Sequence, residues 1–380
     1  MLYGSALTSL GAWIYLTLFH GKFWQGGPVL KPSAAPPCAP DVAIVVPARD
    51  EAESIEACLT SLLEQDYDGK LSVILVDDNS TDGTGDLARA LSDPHKRLTV
   101  LTGASRPAGW SGKLWAVNQG AQEALDHIGP YGYILLTDAD IMHAPKHLST
   151  LLAKARADDL DLVSEMVALN CESSAERFLV PAFVYFFAML YPFAWTANER
   201  SKIAGAAGGT ILLRRRALER IGGIEAIRGA LIDDCTLAAH VKRSGGRLYL
   251  GHSALAWSVR PYRGAKDIWE MIARTAYVQL RQSPLLLLVT IFGMTLIWLL
   301  PIGLTIFGKG RTRKVGLLTY LLSCATFLPT LRRFGLPLWR ALPLPLIAAF
   351  YMAATIGSAI DHHRGVGVRW KKRSYTDEAS

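Results

Sequence analysis

Four short apolar runs, residues 42–46, 71–76, 98–101 and 133–136, recur through one stretch of this chain, with helix-like segments between them. The first of them, 42–46, is continuous rather than alternating, as expected of a strand buried on both faces. The intervening segments at 53–63, 82–91 and 114–125 carry apolar residues at helical spacing. Strand and helix in alternation predict a parallel α/β sheet with right-handed crossovers. In such a sheet ligands bind beyond the carboxyl ends of the strands. The polar clusters fall there: Arg49-Asp50-Glu51, Asp77-Asp78-Asn79-Ser80 and Asp138-Ala139-Asp140 each follow a run.

Taken alone, Asp138-Ala139-Asp140 is most simply an exposed acidic turn, since such tripeptides are common by chance. Its position beside two further clusters at one predicted sheet edge changes that reading. Two carboxylates one residue apart at a strand end can hold a hard divalent cation against phosphate oxygens. Helix capping accounts for Asp82 and could account for Asp50 or Ser80. It leaves the pair Asp77-Asp78 unexplained, because adjacent carboxylates repel unless a donor or cation offsets them. Lys113 follows the glycine-containing loop 103–112 and opens a helix, where a cation opposes the helix dipole. An anionic partner such as a diphosphate would account for it, and a solvated lysine is the plain alternative.

Further along, residues 160–169 read as a strand and 205–213 as a glycine-rich strand, where Gly208-Gly209 would let a substrate approach the backbone. Asp233-Asp234 opens a helix that ends before Gly245-Gly246. One of the two suffices as a cap, which leaves the other for chemistry. Residues 248–250 and 254–257 read as two short strands around His252, a structural histidine or a third metal ligand. The segment 263–281 reads as a helix bearing Trp269, Arg274, Tyr277 and Arg281, its arginines serving a solvated face or a substrate. Residues 178–195 are apolar and aromatic with two prolines, which fits either a helix in a membrane interface or a buried core helix.

Half of the 380 residues are hydrophobic, and the excess gathers near the two ends. Residues 1–21 contain no charged side chain, and their neutral start favours a retained transmembrane anchor over a cleaved signal peptide. A proline-rich linker, 22–40, leads into an α/β domain at 41–283, with 178–196 its candidate interfacial helix. Two to three apolar helices occupy 284–361 and a basic tail 362–380. The formal charge of +7 collects in basic clusters beside apolar segments, which suits anionic headgroups rather than nucleic acid. If all three apolar stretches span and the α/β part is cytoplasmic, the loop at 309–314 and the tail both fall outside, against the positive-inside rule. The topology stays open on sequence grounds. Five scattered cysteines fit a reducing compartment rather than a disulfide frame. A dinucleotide oxidoreductase is excluded, because no G-x-G-x-x-G follows the first strand. Nothing in the sequence speaks to oligomeric state.

Together, Val45-Val46-Pro47-Ala48-Arg49-Asp50-Glu51, Val76-Asp77-Asp78-Asn79-Ser80-Thr81-Asp82-Gly83-Thr84, Lys113 with Asn118 and Gly120, Thr137-Asp138-Ala139-Asp140, Gly208-Gly209-Thr210 and Asp233-Asp234 resemble the family 2 glycosyltransferases of the GT-A fold. With its apolar ends the whole chain is similar to the bacterial hopene-associated glycosyltransferases. The resemblance implies a GT-A catalytic domain, a nucleotide-sugar donor and Mg²⁺ or Mn²⁺. Pro47, Ala48 and Glu51 would line the nucleotide pocket and Asp78 would contact the base. Lys113 would neutralise the diphosphate, Asp138 and Asp140 would hold donor and metal, and Gly209 would lie near the transferred sugar. Asp234 matches the catalytic base, with Asp233 where the family usually has Glu. The Gln-x-x-Arg-Trp motif of processive members is absent from 263–281, although Arg274 is a partial substitute, and this argues against polymer synthesis. The expected reaction is inverting transfer of one sugar, from a UDP-sugar, to a lipid acceptor related to hopanoids. The expected setting is the inner (plasma) membrane, multi-pass, with the catalytic domain cytoplasmic. The alternatives are transfer to a polyprenyl phosphate and a non-catalytic scaffold that binds nucleotide sugars.

Overall fold

A computed structural model describes residues 2–36 and 38–365, together with the backbone at 369–370 and 373–374. Most of the expected basic tail therefore lies outside the described residues. The chain divides into an α/β unit, Pro28–Asn170 with Trp195–Arg260, and a helical unit, Met1–Gly27 with Cys171–Ala194 and Pro261–Val368.

The α/β unit is built on β1 (Val42–Ala48), β2 (Leu71–Asp77), β3 (Leu98–Thr102), β4 (Tyr133–Leu136), β5 (Ile141–His143), β6 (Leu162–Ala168), β7 (Ile211–Arg214) and β8 (Leu248–Ser258). They form one sheet in the order β3-β2-β1-β4-β7-β6-β8-β5. The four strands of the alternating stretch pair in parallel, as do β6 and β8. β7 runs antiparallel to β4 and β6, and β5 antiparallel to β8. Only four residues separate β4 from β5, too short a link for a parallel crossover.

Every residue of β1 and β2 is buried, and alternate side chains feed two cores. Val45, Ile74 and Val76 pack with Leu114, Val117 and Ala121 of the helix Gly112–His127. Ile44, Val46 and Leu75 pack on the other face with Leu59, Leu62, Leu148 and Leu151. Continuous apolar strands follow from this double coverage. The helix Gly112–His127 starts at Ser111, whose side chain accepts the Leu114 N–H, and sits close on the sheet at Gly120. A Cβ there would lie 2.4 Å from Val45 Cγ1 and 3.0 Å from Val76 Cγ2, both on stiff β-branched side chains. Gly120→Ala is therefore expected to cost about 1–3 kcal/mol through overpacking. A melting temperature equal to that of the wild type would refute this close approach.

Two expectations need correction. Residues 205–210 are not strand: β7 begins only at Ile211, and Thr210 N–H closes a turn onto the Ala207 carbonyl at 3.2 Å. The two short strands around His252 are one continuous strand, β8. His252 is buried within it opposite Met166, and its N–H donates to the Pro28 carbonyl at 2.8 Å. A short polar interruption signals a break only when it is solvent-exposed, and here it is covered.

In the helical unit, Pro284–Phe307, Gly310–Arg333 and Leu344–His363 are long and apolar enough to cross a membrane. The N-terminal helix, Leu2–Leu18, has 17 residues and is not among these three. It nevertheless completes the first of them. A π-helical turn, Thr295–Leu299, precedes Pro301, which has no N–H to offer the carbonyls one turn back. Ser9 Oγ donates to the Leu296 carbonyl and Trp13 Nε1 to the Ile297 carbonyl, each at 2.7 Å. In an apolar setting such acceptors need a partner from a neighbouring helix. The aromatic segment forms the helix Ser174–Leu190, started by a capping box between Ser173 and Glu176. Its Tyr185 is fully buried and bonds Thr326 Oγ1 at 2.7 Å.

Candidate active site

The carboxyl ends of β1 and β4 converge with the loop before β7 and the start of the helix Asp233–Arg243. They enclose a pocket lined by Pro47, Lys113, Thr137, Asp138, Gly208, Asp233 and Asp234 over an apolar floor of Leu114, Val117 and Ile211. Lys113 stands at its centre, with Nζ 2.8 Å from Asp138 Oδ1 and 3.4 Å from Asp233 Oδ2. The cation that sequence reasoning assigned to an anionic ligand thus already meets carboxylates of the chain itself. Burial works against the Lys113 charge, but Asp138 and Asp233 outweigh it and shift its pKa upward.

Asp233 does not cap its helix. The cap position is Ile232, with no side-chain bond, and Asp233 is free to pair with Lys113. Asp234 turns the other way: its Oδ2 accepts the Gly208 N–H at 2.9 Å and its Oδ1 the Cys235 N–H at 2.6 Å. Burial and then the neighbouring Asp233 push its pKa up to about 6, against the pull of those N–H groups and of Lys113. Burial likewise raises Asp138, supported by Asp140 and Asp233 and opposed by Lys113. A Cβ on Gly208 would lie 3.5 Å from Asp234 Oδ2, 3.6 Å from Lys113 Nζ and 3.9 Å from Asp138 Oδ2. A side chain there would stand at ordinary contact distance among these three charged groups. Gly209 turns away, its carbonyl accepting from the hydroxyls of Thr137 at 2.8 Å and Thr210 at 2.7 Å.

The other carboxylate of the Asp-x-Asp pair belongs to a second cluster. Arg260, just past β8, donates from Nε to Asp140 Oδ2 at 2.7 Å and from NH2 to Glu51 Oε1 at 2.6 Å. Both acids are mostly buried, and they raise the Arg260 pKa despite the desolvation that opposes it. Asp138 and Asp140 therefore face different cations here. Ala48 is wholly buried in β1. Asp78 is 1 % exposed, and its Oδ2 lies 3.3 Å from Arg49 NH1, with the Asp78 carbonyl accepting from the same nitrogen. This ion pair answers the repulsion expected of Asp77-Asp78, and Asp77 meanwhile accepts the Ser80 N–H. Asp82 accepts from the Thr84 N–H and hydroxyl at the helix start and also from the Ala52 N–H, which ties two loops together. Sequence reasoning missed Arg260 altogether. Its only signal was a lone arginine after an apolar strand.

The donor chemistry suits a hard divalent cation. The acidic pair offers carboxylate oxygens only, and among the described residues no group of three His, Cys, Asp or Glu could hold a metal unaided. Mg²⁺ is commonly held in this manner, by one or two carboxylates with substrate phosphates completing the shell.

Residues 43–222 match the model of glycosyl transferase family 2, and residues 133–355, more than half of the chain, match that of glycosyl transferase family group 2. The chain belongs to glycosyl transferase family group 2. This family member is 25% identical over 227 residues to a probable glycosyltransferase, YdaM, of Bacillus subtilis, covering 58% of this chain and 51% of the relative. It is 25% identical over 256 residues to the beta-monoglucosyldiacylglycerol synthase of Nostoc sp., covering 62% and 52%. The chain thus spans about half the length of these curated relatives. Among solved structures, a mannosyltransferase of Pyrobaculum calidifontis, determined with GDP-Man and Mn²⁺, aligns over 98% of this chain and 100% of its own with a TM-score of 0.58. At 22% identity that likeness establishes a shared GT-A-type α/β fold.

Proposed function

We propose that this transferase-family chain moves one sugar from a nucleotide diphosphate sugar to a lipid hydroxyl at the cytoplasmic face of the plasma membrane, with inversion at the anomeric carbon. The observation that carries the reading is Lys113 held between Asp138 and Asp233, with Asp234 across Gly208 from it. One side of the pocket can answer the charge of a leaving diphosphate and the other can accept a proton.

Pro47 and Glu51 border the nucleotide, and Asp78, locked by Arg49, serves the base. Asp138 and Asp140 would hold Mg²⁺ or Mn²⁺, which when bound supplies Lewis-acid stabilisation of the diphosphate. Lys113 offsets the same developing charge from a fixed position, so no reorganisation is needed as the bond breaks. Asp234 takes the proton of the acceptor hydroxyl. With its pKa raised to about 6 it is a stronger base than an ordinary carboxylate yet stays mostly ionised at neutral pH. Attack from the side opposite the diphosphate inverts the anomeric centre in a single displacement. The three long apolar helices, with Leu2–Leu18 docked on the first, hold the chain where a lipid acceptor lies.

The test is transfer of labelled UDP- and GDP-sugars into membrane lipids, hopanoid fractions included, by the full chain in nanodiscs, with and without chelator. A chelator-sensitive glycolipid of inverted configuration is expected. Transfer to polyprenyl phosphate alone, which needs no strong base, would overturn the acceptor assignment. Donor binding without any product would reduce the chain to a scaffold. In the same preparation, Arg260→Ala is expected to tighten Mn²⁺ binding without nucleotide, read by the free-Mn²⁺ electron paramagnetic resonance signal, because Asp140 and Glu51 lose their internal cation. Unchanged affinity would mean that Arg260 does not compete with metal.

A further inference from the structure

Behind the pocket runs a buried chain of polar side chains that the proposed chemistry leaves unused. Thr137 Oγ1, which donates to the Gly209 carbonyl at 2.8 Å, lies 3.0 Å from His143 Nε2. His143 Nδ1 lies 2.8 Å from His147 Nδ1, and His147 Nε2 lies 3.1 Å from Glu165 Oε2. Thr137, His143, His147 and Glu165 are at most 3 % exposed. They come from the residue just after β4, from β5, from the start of the helix His147–Ala157 and from β6. The backbone of His143 is itself fixed, its N–H donating to Ser61 Oγ at 3.1 Å.

Counting protons fixes the direction of this chain. If Thr137 donates to Gly209, its oxygen must accept from His143 Nε2–H, which leaves His143 Nδ1 bare to accept from His147 Nδ1–H. One further proton is then shared between His147 Nε2 and Glu165, and the whole array is neutral. In the opposite direction Thr137 would donate to His143, His143 Nδ1–H to His147, and His147 Nε2–H to an ionised Glu165. That arrangement loses the Thr137 bond to Gly209 and buries a net negative charge, which is the costlier state. Burial together with the neighbouring His147 holds the His143 pKa well below its usual value, in keeping with a neutral ring.

We propose that Glu165, His147 and His143 are positioning residues that act through the Thr137 hydroxyl on the Gly208-Gly209 segment. Asp234 holds the segment at the Gly208 N–H, and Thr137 together with Thr210 holds it at the Gly209 carbonyl. The relay thereby sets the distance between Asp234 and the strand end that carries Asp138. This rests on the glycosyl-transfer reading above. It assigns to these three residues an effect on turnover rather than on donor affinity, since none of them lines the pocket.

The need for a hydrogen-bonding partner at the end of the relay separates two substitutions at one position. Glu165→Gln retains a donor for His147 Nε2 and keeps the relay, so kcat stays close to the wild-type value. Glu165→Leu removes the last partner, and kcat falls about 10- to 100-fold, the usual effect of losing an outer-shell partner, while KM for the nucleotide sugar is unchanged. Equal behaviour of the two variants, whether both active or both impaired, would overturn the proposal. Independently of any variant or activity, ¹⁵N-histidine NMR of the wild-type chain should give His143 as the Nε2–H tautomer with a bare Nδ1, and a protonated His143 Nδ1 would overturn it. A wild-type chain that transfers no sugar to any lipid would refute the functional reading, and the tautomer measurement would still decide the relay.

Discussion

Asp234→Asn lowers kcat by about 10²- to 10⁴-fold, the range set by losing a positioned general base, with little change in donor affinity. Asparagine is nearly isosteric, but its one amide oxygen can replace only one of the two carboxylate oxygens that accept the Gly208 and Cys235 N–H groups, so one of those bonds is lost together with the basicity. The wild-type pH profile carries a matching signature. Because the Asp234 pKa is raised to about 6, the active carboxylate is lost as pH falls through that value and kcat/KM declines on the acid side. Above it the carboxylate is ionised and the profile is flat. The Asn variant has no such limb. Full turnover in this variant, or an acid limb that persists in it unchanged, would remove Asp234 from the role of base and favour an acceptor that is already ionised.

Lys113→Met produces the second large effect, a fall in kcat/KM of about 10²- to 10³-fold, comparable to removing one preorganised charge stabiliser. The same change acts on the base. Lys113 is one of the groups that holds the Asp234 pKa down, against burial and Asp233. Without it Asp138, Asp233 and Asp234 share one pocket uncompensated, and the acid limb moves to higher pH. Steady-state kinetics across pH read both effects from one data set. A loss of activity with the limb in its original place would show that Lys113 serves the donor only and that the titrating group lies elsewhere.

Much of the fold was legible because its determinants are local. β4 was read to the residue, β1 lacks only Pro47 and Ala48 and β2 only Asp77, since apolar runs bounded by polar turns leave little freedom. The antiparallel β5 and β7 were not legible as such. Each follows an irregular segment rather than a crossover helix, so periodicity carries no direction. The site was readable as a set of residues at one sheet edge but not as a pattern of pairing. Lys113 was read as facing an anionic partner or solvent, and its pairing with Asp138 and Asp233 was not visible in the sequence. Asp138 and Asp140 were legible as one acidic pair, but not their side-chain partners, Lys113 for the first and Arg260 for the second.

The sequence by itself determined the alternating strands and helices, the carboxyl-edge position of the acidic clusters and the apolar segments of the ends, because each depends on a few neighbouring side chains. Tertiary structure alone decided which charge meets which. Glu51 and Arg260 are separated by 209 positions and Thr137 and Gly209 by 72. Such pairs form only when the sheet order brings distant strand ends together, and burial then penalises a polar group that is left without a partner.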